Sequence, residues 1–256
     1  MREPKAQNRR RALVTGGAVR LGRAIALGLA DAGFDVAIGY HRSGTAARGT
    51  LRALRRRGGV AVALRADLRD ADAARQLVAA AARALGGLDV VVNSAAAFAC
   101  TPLAGTTPSA WNALLGVNVL APLVCIQAAV TRMRAGGHVV NVGDAWAREA
   151  PAGWSAYAAS KAALEMLTRV LAAELRPQRI AVNCVAPGPV LKPAHLAPAR
   201  WRAITGGRAA RVVDVVDAVV RFATCAPTVT GRVRSVWGRR SPSLPCSTRR
   251  EGRSGC

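Results

Sequence analysis

Tyr157 and Lys161 stand four residues apart in the stretch SAYAASKAALEML, Ser155–Leu167. On a helix that spacing puts both side chains on one face. A phenol with an ordinary pKa of about 10 donates protons poorly near neutral pH, but an adjacent ammonium stabilises phenolate. The sequence therefore predicts a tyrosine acid whose pKa Lys161 draws down. Asp144, in the stretch VNVGDA, precedes Tyr157 by thirteen residues. A carboxyl group beside a tyrosine can share or relay a proton.

A second group of residues suits an anionic ligand. The stretch TGGAVRLGRAIA, Thr15–Ala26, directly follows the apolar run Ala12-Leu13-Val14. Such an order reads as strand, glycine turn and helix, and the backbone N–H groups at a helix start can hold a pyrophosphate. Gly16 and Gly17 permit the tight turn, and Gly22 allows close approach of helix and ligand.

These residues need elements to bring them together. Short apolar runs alternate with longer Ala/Leu/Arg segments of helical period, as in parallel strands joined by crossover helices. Strands are expected over 12–15, 35–40, 60–65, 89–93, 138–142, 180–185 and, with its place left open, 233–237. Helices are expected over 21–32, 45–57, 71–85, 111–134, 155–175 and 213–223. The predicted fold is α/β, a single doubly wound Rossmann-like domain over 12–238 with a mostly parallel seven-stranded sheet. A basic arm, 1–11, precedes it, and an Arg/Ser/Pro-rich tail, 239–256, is expected to be disordered. Ligands of such sheets bind at the carboxyl ends of the strands. There the corners Thr15-Gly16, His41-Arg42-Ser43, Ala66-Asp67-Leu68, Asn93-Ser94-Ala95, Gly143-Asp144 and Pro187-Gly188 share one rim.

With those motifs in place, the chain resembles the short-chain dehydrogenase/reductase family, whose turn reads T-G-x-x-x-G-x-G. Here Arg20 replaces the middle glycine in Thr15-Gly16-Gly17-Ala18-Val19-Arg20-Leu21-Gly22. Together with Gly39-Tyr40-His41-Arg42-Ser43, that substitution is similar to the pteridine reductase branch, in which T-G-x-x-x-R-L-G-R and Y-H-R-S surround the adenosine phosphate of NADPH. The residues agree: a carboxylate suits the ribose 2′-hydroxyl of NAD, whereas a 2′-phosphate suits guanidinium and hydroxyl donors, and no acid ends the second strand. Arg20 and Arg42 are thus expected to clamp the phosphate of NADPH, with His41 and Ser43 as further donors.

The resemblance implies more. Asp67, beside Leu68, matches the residue that bonds the adenine; Asn93-Ser94-Ala95, Leu21, Pro187 and Gly188 match cofactor-supporting positions. Asn118 matches the asparagine that holds a water joining the lysine to solvent, and Phe98 the phenylalanine that stacks on the pterin. Asp144 stands where classical members carry a serine, which suits C=N reduction. Trp146, Trp154 and Trp201 are expected near the pocket. The implied activity is NADPH-dependent hydride transfer to a pterin-like cyclic imine or a carbonyl by a cytoplasmic homotetramer. The alternatives are a 3-oxoacyl thioester reductase serving an acidic acyl carrier protein, and a nucleotide-binding scaffold without turnover. The resemblance covers about 11–231; relatives then close with a strand and an Asp-Gly-Gly turn, where this chain has Val236-Trp237-Gly238-Arg239.

Composition narrows the classes. The formal charge of +23 would suit nucleic acid, but lysine occurs only at positions 5, 161 and 192 and the arginine clusters lack interleaved aromatics, so nucleic-acid binding is not expected. Six scattered cysteines show no C-x-x-C pair and no metal-ligand spacing with His, so neither a disulfide framework nor a metal site is expected. The first residues show no signal-peptide pattern and no apolar run reaches membrane-spanning length, so no membrane partner is expected.

Overall fold

The structure, a computed structural model, describes residues 9–192 and 197–238. Strands β1 (Arg11–Thr15), β2 (Asp35–Tyr40), β3 (Ala61–Arg65), β4 (Leu88–Asn93), β5 (Met133–Val142), β6 (Ala181–Pro187) and β7 (Val233–Val236) form one sheet in the order β3-β2-β1-β4-β5-β6-β7. Every neighbouring pair is parallel, so the sheet expected to be mostly parallel is parallel throughout. The last strand is present too, with β7 paired to β6 from Cys184↔Val233 to Pro187↔Val236.

Helices α1 (Arg20–Asp31), α2 (Gly44–Arg55), α3 (Ala71–Leu85), α4 (Pro108–Leu115), α5 (Ala121–Val130), α6 (Ser155–Glu174), α7 (Pro198–Thr205) and α8 (Val212–Thr224) make the crossovers. They explain why the strands read as continuous apolar runs: both sheet faces are covered, and all seven residues of β6 are buried. One core packs Ile25 and Leu29 of α1 and Val215, Val219 and Phe222 of α8 against Val14, Ile38 and Val92. A second packs Leu77 and Val78 of α3 and Val124 of α5 against Leu13, Leu88 and Val91. Strand order reverses between β1 and β4, which opens a crevice above their carboxyl ends.

Three expectations are corrected. The helix expected over 111–134 is α4, a π turn at Gly116–Leu120 and α5, because Pro122 has no N–H to return to the Asn118 carbonyl. This apolar stretch, Pro108–Val130, is long enough to cross a membrane, yet α5 buries Val124, Cys125 and Ile126 in the domain. The fifth strand begins at Met133 rather than His138, with a register shift between Leu88 and Val90 of its neighbour. The described end of the basic arm is tied down: Arg9 pairs with Asp35 at 3.2 Å, Arg10 lies 5.4 Å over the Phe34 ring, and Arg11 opens β1 with its guanidinium on Asp89. Residues 1–8 and the tail expected to be disordered, 239–256, lie outside the described residues.

His138 is 2% exposed on β5, and burial, reinforced by Arg10, pushes its pKa down to about 4. The fold holds it neutral while the unfolded chain protonates near pH 6.5. Stability is therefore full above that pH and falls as pH drops toward 4, by about 2 kcal/mol between pH 7 and 5 from this group. Thermal melts across that range should show this component lost in His138→Leu; an unchanged pH dependence would remove His138 as its source.

Candidate active site

The first strand hands the chain to α1 through a turn with no room for side chains. Gly16 sits at φ +65°, and a Cβ there would lie 2.9 Å from Ala95 Cα; a Cβ on Gly22 would lie 2.3 Å from the Gly16 carbonyl oxygen. The turn is pinned to the end of β4 by Thr15, whose Oγ1 accepts from the N–H groups of Ser94 and Ala95 at 3.0 and 3.1 Å. Thr15 was legible as a turn residue, but not as the link between two strand ends.

Arg20 takes the glycine position with a backbone at φ +51°, the left-handed region, at a cost of about 1 kcal/mol. Its Nη2 donates to the Leu191 carbonyl at 2.9 Å, beyond β6. His41 and Arg42 line the same cleft from the β2 end. The two guanidinium groups expected in one clamp therefore approach from opposite sides of the turn, which leaves the β2 corner to Arg42 and His41. Ser43 is outside the cleft lining; it precedes α2, and its carbonyl accepts from Ala47 N–H at 2.8 Å.

Asp67 and Leu68 line the cleft at the end of β3. Arg69 holds the Asp67 carboxyl well below the usual carboxylate range through side-chain and backbone N–H bonds of 3.0 and 3.1 Å, and His41 Nε2 lies 3.5 Å from Asp67 Oδ2. Asp67 thus stands at the expected corner with its oxygens already bonded within the chain.

The reacting side chains rise from α6. This helix lacks a side-chain cap of its own; Thr101 supplies it from the β4–α4 loop, its Oγ1 accepting from Ala156 N–H at 3.1 Å and its carbonyl from the Ser155 hydroxyl at 2.8 Å. Tyr157, one residue on, is 4% exposed and donates its phenol proton to Asp144 Oδ2 at 2.5 Å. Asp144 Oδ1 accepts from the N–H groups of Trp146 and Ala147 at 2.8 and 3.3 Å. Lys161, also buried, donates from Nζ to the Val142 carbonyl at 3.0 Å and lies 5.9 Å from the Tyr157 ring centroid.

That geometry reverses one expectation. Burial, and then the Asp144 carboxylate, push the Tyr157 pKa well above the ordinary phenol value instead of Lys161 drawing it down. Burial also pushes the Lys161 pKa down, opposed by Asp144, Cys184 and Glu165. At rest the tyrosine is held loaded with its proton.

Aromatic rings wall this pair. Phe98 stacks on Trp154 at 4.4 Å and 30° and meets Tyr157 edge-on at 4.8 Å, while Trp146 lies 5.5 Å from Trp154. Phe98 remains 57% exposed, so its ring is open to a ligand. Trp201 also lines the cleft, whose volume is about 1500 Å³. On the β6 rim stand Pro187 and Gly188; Trp237 packs behind Gly188, where a Cβ would lie 2.5 Å from the ring. Trp237 belongs to the divergent end of the chain and carried no sequence signal for this place.

Two expected site residues work beneath the cleft. Asn93 is buried, its amide donating to Asn141 Oδ1 at 2.9 Å, and Asn141 donates in turn to Thr168. Asn93 therefore braces the strand ends and does not line the cavity. The Asn118 side chain is filled by Ala97 N–H, the Ala97 carbonyl and the Ser160 hydroxyl at 2.8, 3.0 and 2.9 Å. It ties the β4 exit to α6.

Known proteins show the same organisation. The model of the short chain dehydrogenase family matches residues 10–201. A short chain dehydrogenase from Burkholderia cenocepacia, solved in complex with NADP, is 37% identical with a TM-score of 0.83, covering 89% of this chain and 96% of that one. A blue fluorescent protein from a metagenomic library, solved in complex with NADPH, is 35% identical with a TM-score of 0.84, covering 90% and 96%. A 3-oxoacyl-[acyl-carrier-protein] reductase of Staphylococcus aureus is 32% identical over 179 residues, 69% of this chain and 73% of the relative.

Proposed function

The chain belongs to the short-chain dehydrogenase/reductase family and is an oxidoreductase by that membership; from this premise we propose that it uses NADPH to reduce a flat cyclic imine, a pterin among them, or a carbonyl compound. The observation that carries this reading is the Tyr157–Asp144 hydrogen bond set against the open Phe98 ring.

The residues fit the cofactor. Gly16 and Gly22 form a cradle that any Cβ would fill, and the β2 end offers Arg42 and His41 with no carboxylate of its own. The backbone of the turn from Gly16 through Leu21 to Gly22 would hold the diphosphate, with Arg20 reaching it from the β6 side. Arg42 and His41 would take the 2′-phosphate, and Asp67 and Leu68 would border the adenine. Ser94, Ala95, Tyr157, Lys161, Pro187 and Gly188 would enclose the nicotinamide half. When bound, NADPH supplies the hydride.

The protein's own part is the proton. Tyr157 reaches the substrate already protonated, because burial and Asp144 both oppose its ionisation. As electron density builds on the substrate nitrogen or oxygen, the phenol gives up its proton and the buried Lys161 ammonium steadies the phenolate. Asp144, on the cleft wall, then takes up a proton from solvent and returns it to the Tyr157 phenolate. Phe98 orients a planar ring, an offset contact worth about 1 kcal/mol.

NADPH consumption with dihydrobiopterin, a simple cyclic imine, an acetoacetyl thioester and a quinone tests the proposal. The imine or dihydropterin should turn over at least about tenfold faster than the thioester, because the thioester has no ring nitrogen for Asp144 to serve. A faster thioester would favour the second reading, which the Staphylococcus aureus relative and the charge of +23 support. Consumption with none of the four would leave a nucleotide-binding scaffold.

A further inference from the structure

Asp144 is aimed by the chain that follows it. Both N–H groups on its Oδ1 come from the 3₁₀ turn Trp146–Glu149. The chain enters that turn held at Ala145, whose N–H donates to the Pro187 carbonyl at 2.7 Å, but within the turn the backbone bonds are long, 3.3 Å from Arg148 N–H to the Ala145 carbonyl and from Ala150 N–H to the Ala147 carbonyl, and it leaves at Ala150 through a left-handed backbone, φ +49°.

Its second anchor, past Asp144, is a side chain that the proton chemistry does not use. Arg148 Nε donates to both carboxylate oxygens of Glu165 at 3.0 Å, Nη2 lies 2.8 Å from Oε2, and Nη1 donates to the Ser235 hydroxyl at 2.8 Å. Glu165 is 7% exposed on α6 and Ser235 lies on β7. Spacing alone would pair Glu165 with Lys161, one helical turn earlier. Instead Lys161 bonds the Val142 carbonyl, and Glu165 is given to the loop. A buried carboxylate strongly requires such a partner, and a forked guanidinium fixes direction as well as distance.

We propose that Arg148, Glu165 and Ser235 form a clamp that positions Asp144, holding its turn in register with the face of α6 that carries Tyr157 and Lys161; this rests on the reading of Asp144 and Tyr157 as the proton-donating pair. Arg148 is then a positioning residue that acts through Asp144. A double-mutant cycle tests it with Arg148→Met, Asp144→Asn and both together. Arg148→Met should lower kcat about tenfold, a misplacement effect, with the Kd for NADPH changed less than about twofold. In the Asp144→Asn background the same substitution should change kcat less than about twofold, since nothing is left to position.

A readout without cofactor accompanies it. In the ligand-free protein the Tyr157 phenol, followed by ultraviolet difference absorbance against the signal of Tyr40, should ionise at lower pH in Arg148→Met than in the wild type. If Arg148→Met does not fold, Ser235→Ala removes one arm of the clamp and should cost about threefold in kcat by the same cycle. Equal losses in the two Asp144 backgrounds, or an unmoved phenol titration, would show an ion pair serving stability alone and overturn the proposal. An Asp144→Asn enzyme with unchanged kcat would refute the Asp144 reading itself, and the clamp with it.

Discussion

Tyr157→Phe should lower kcat about 1000-fold while the Kd for NADPH stays within about fivefold, the range expected when one positioned acid is removed. Phenylalanine keeps the ring that meets Phe98 edge-on at 4.8 Å and loses only the hydroxyl on Asp144. The aromatic wall therefore survives, and the loss reports the proton. Stripped of its phenol, the Asp144 carboxylate keeps the Trp146 and Ala147 N–H groups, so the turn beneath it has no reason to move. Steady-state rates and a binding titration check the split. An equal fall in binding and turnover would mean that Tyr157 holds ligand and does not donate.

Gly22→Ala should weaken NADPH binding at least about 100-fold. The added Cβ would lie 2.3 Å from the Gly16 carbonyl oxygen, and the obstacle is backbone, which cannot rotate away as a side-chain end would. Either α1 withdraws from the turn or the turn opens. Each outcome displaces the N–H groups that would face the diphosphate, where small misplacements carry large losses. The same crowding should cost about 2 kcal/mol of stability, a Tm lowered by about 5 °C. Cofactor titration and a melt measure both effects; full binding with an unchanged Tm would show that the turn is looser than described.

Much of this was legible in the sequence because it is local. The seven strands follow from apolar runs, the nucleotide corner from glycines on one turn, and the Tyr157–Lys161 pair from helical spacing. Tertiary effects were not legible in the same way. Pro122 breaks an apolar pattern that reads as one long helix, through a hydrogen bond it cannot make. Thr101 caps α6 from a loop 55 residues away, and Arg148 reaches Glu165 and Ser235 on two different elements, so no periodicity marks them. Spacing alone gives the wrong direction for the Tyr157 pKa for the same reason. Spacing places an ammonium near the phenol, whereas only the folded chain reveals how completely the phenol is buried and that Asp144 lies closer than Lys161.

A phosphate would sit at the β2 corner, where Arg42 and His41 stand with no carboxylate ending the strand. Charge-assisted bonds there are worth about 2 kcal/mol, or roughly 30-fold in affinity. Titrating the wild-type protein with NADPH and NADH at one fixed ionic strength measures this directly. A preference for NADPH of about that size or larger is the result expected; equal or tighter binding of NADH would contradict it.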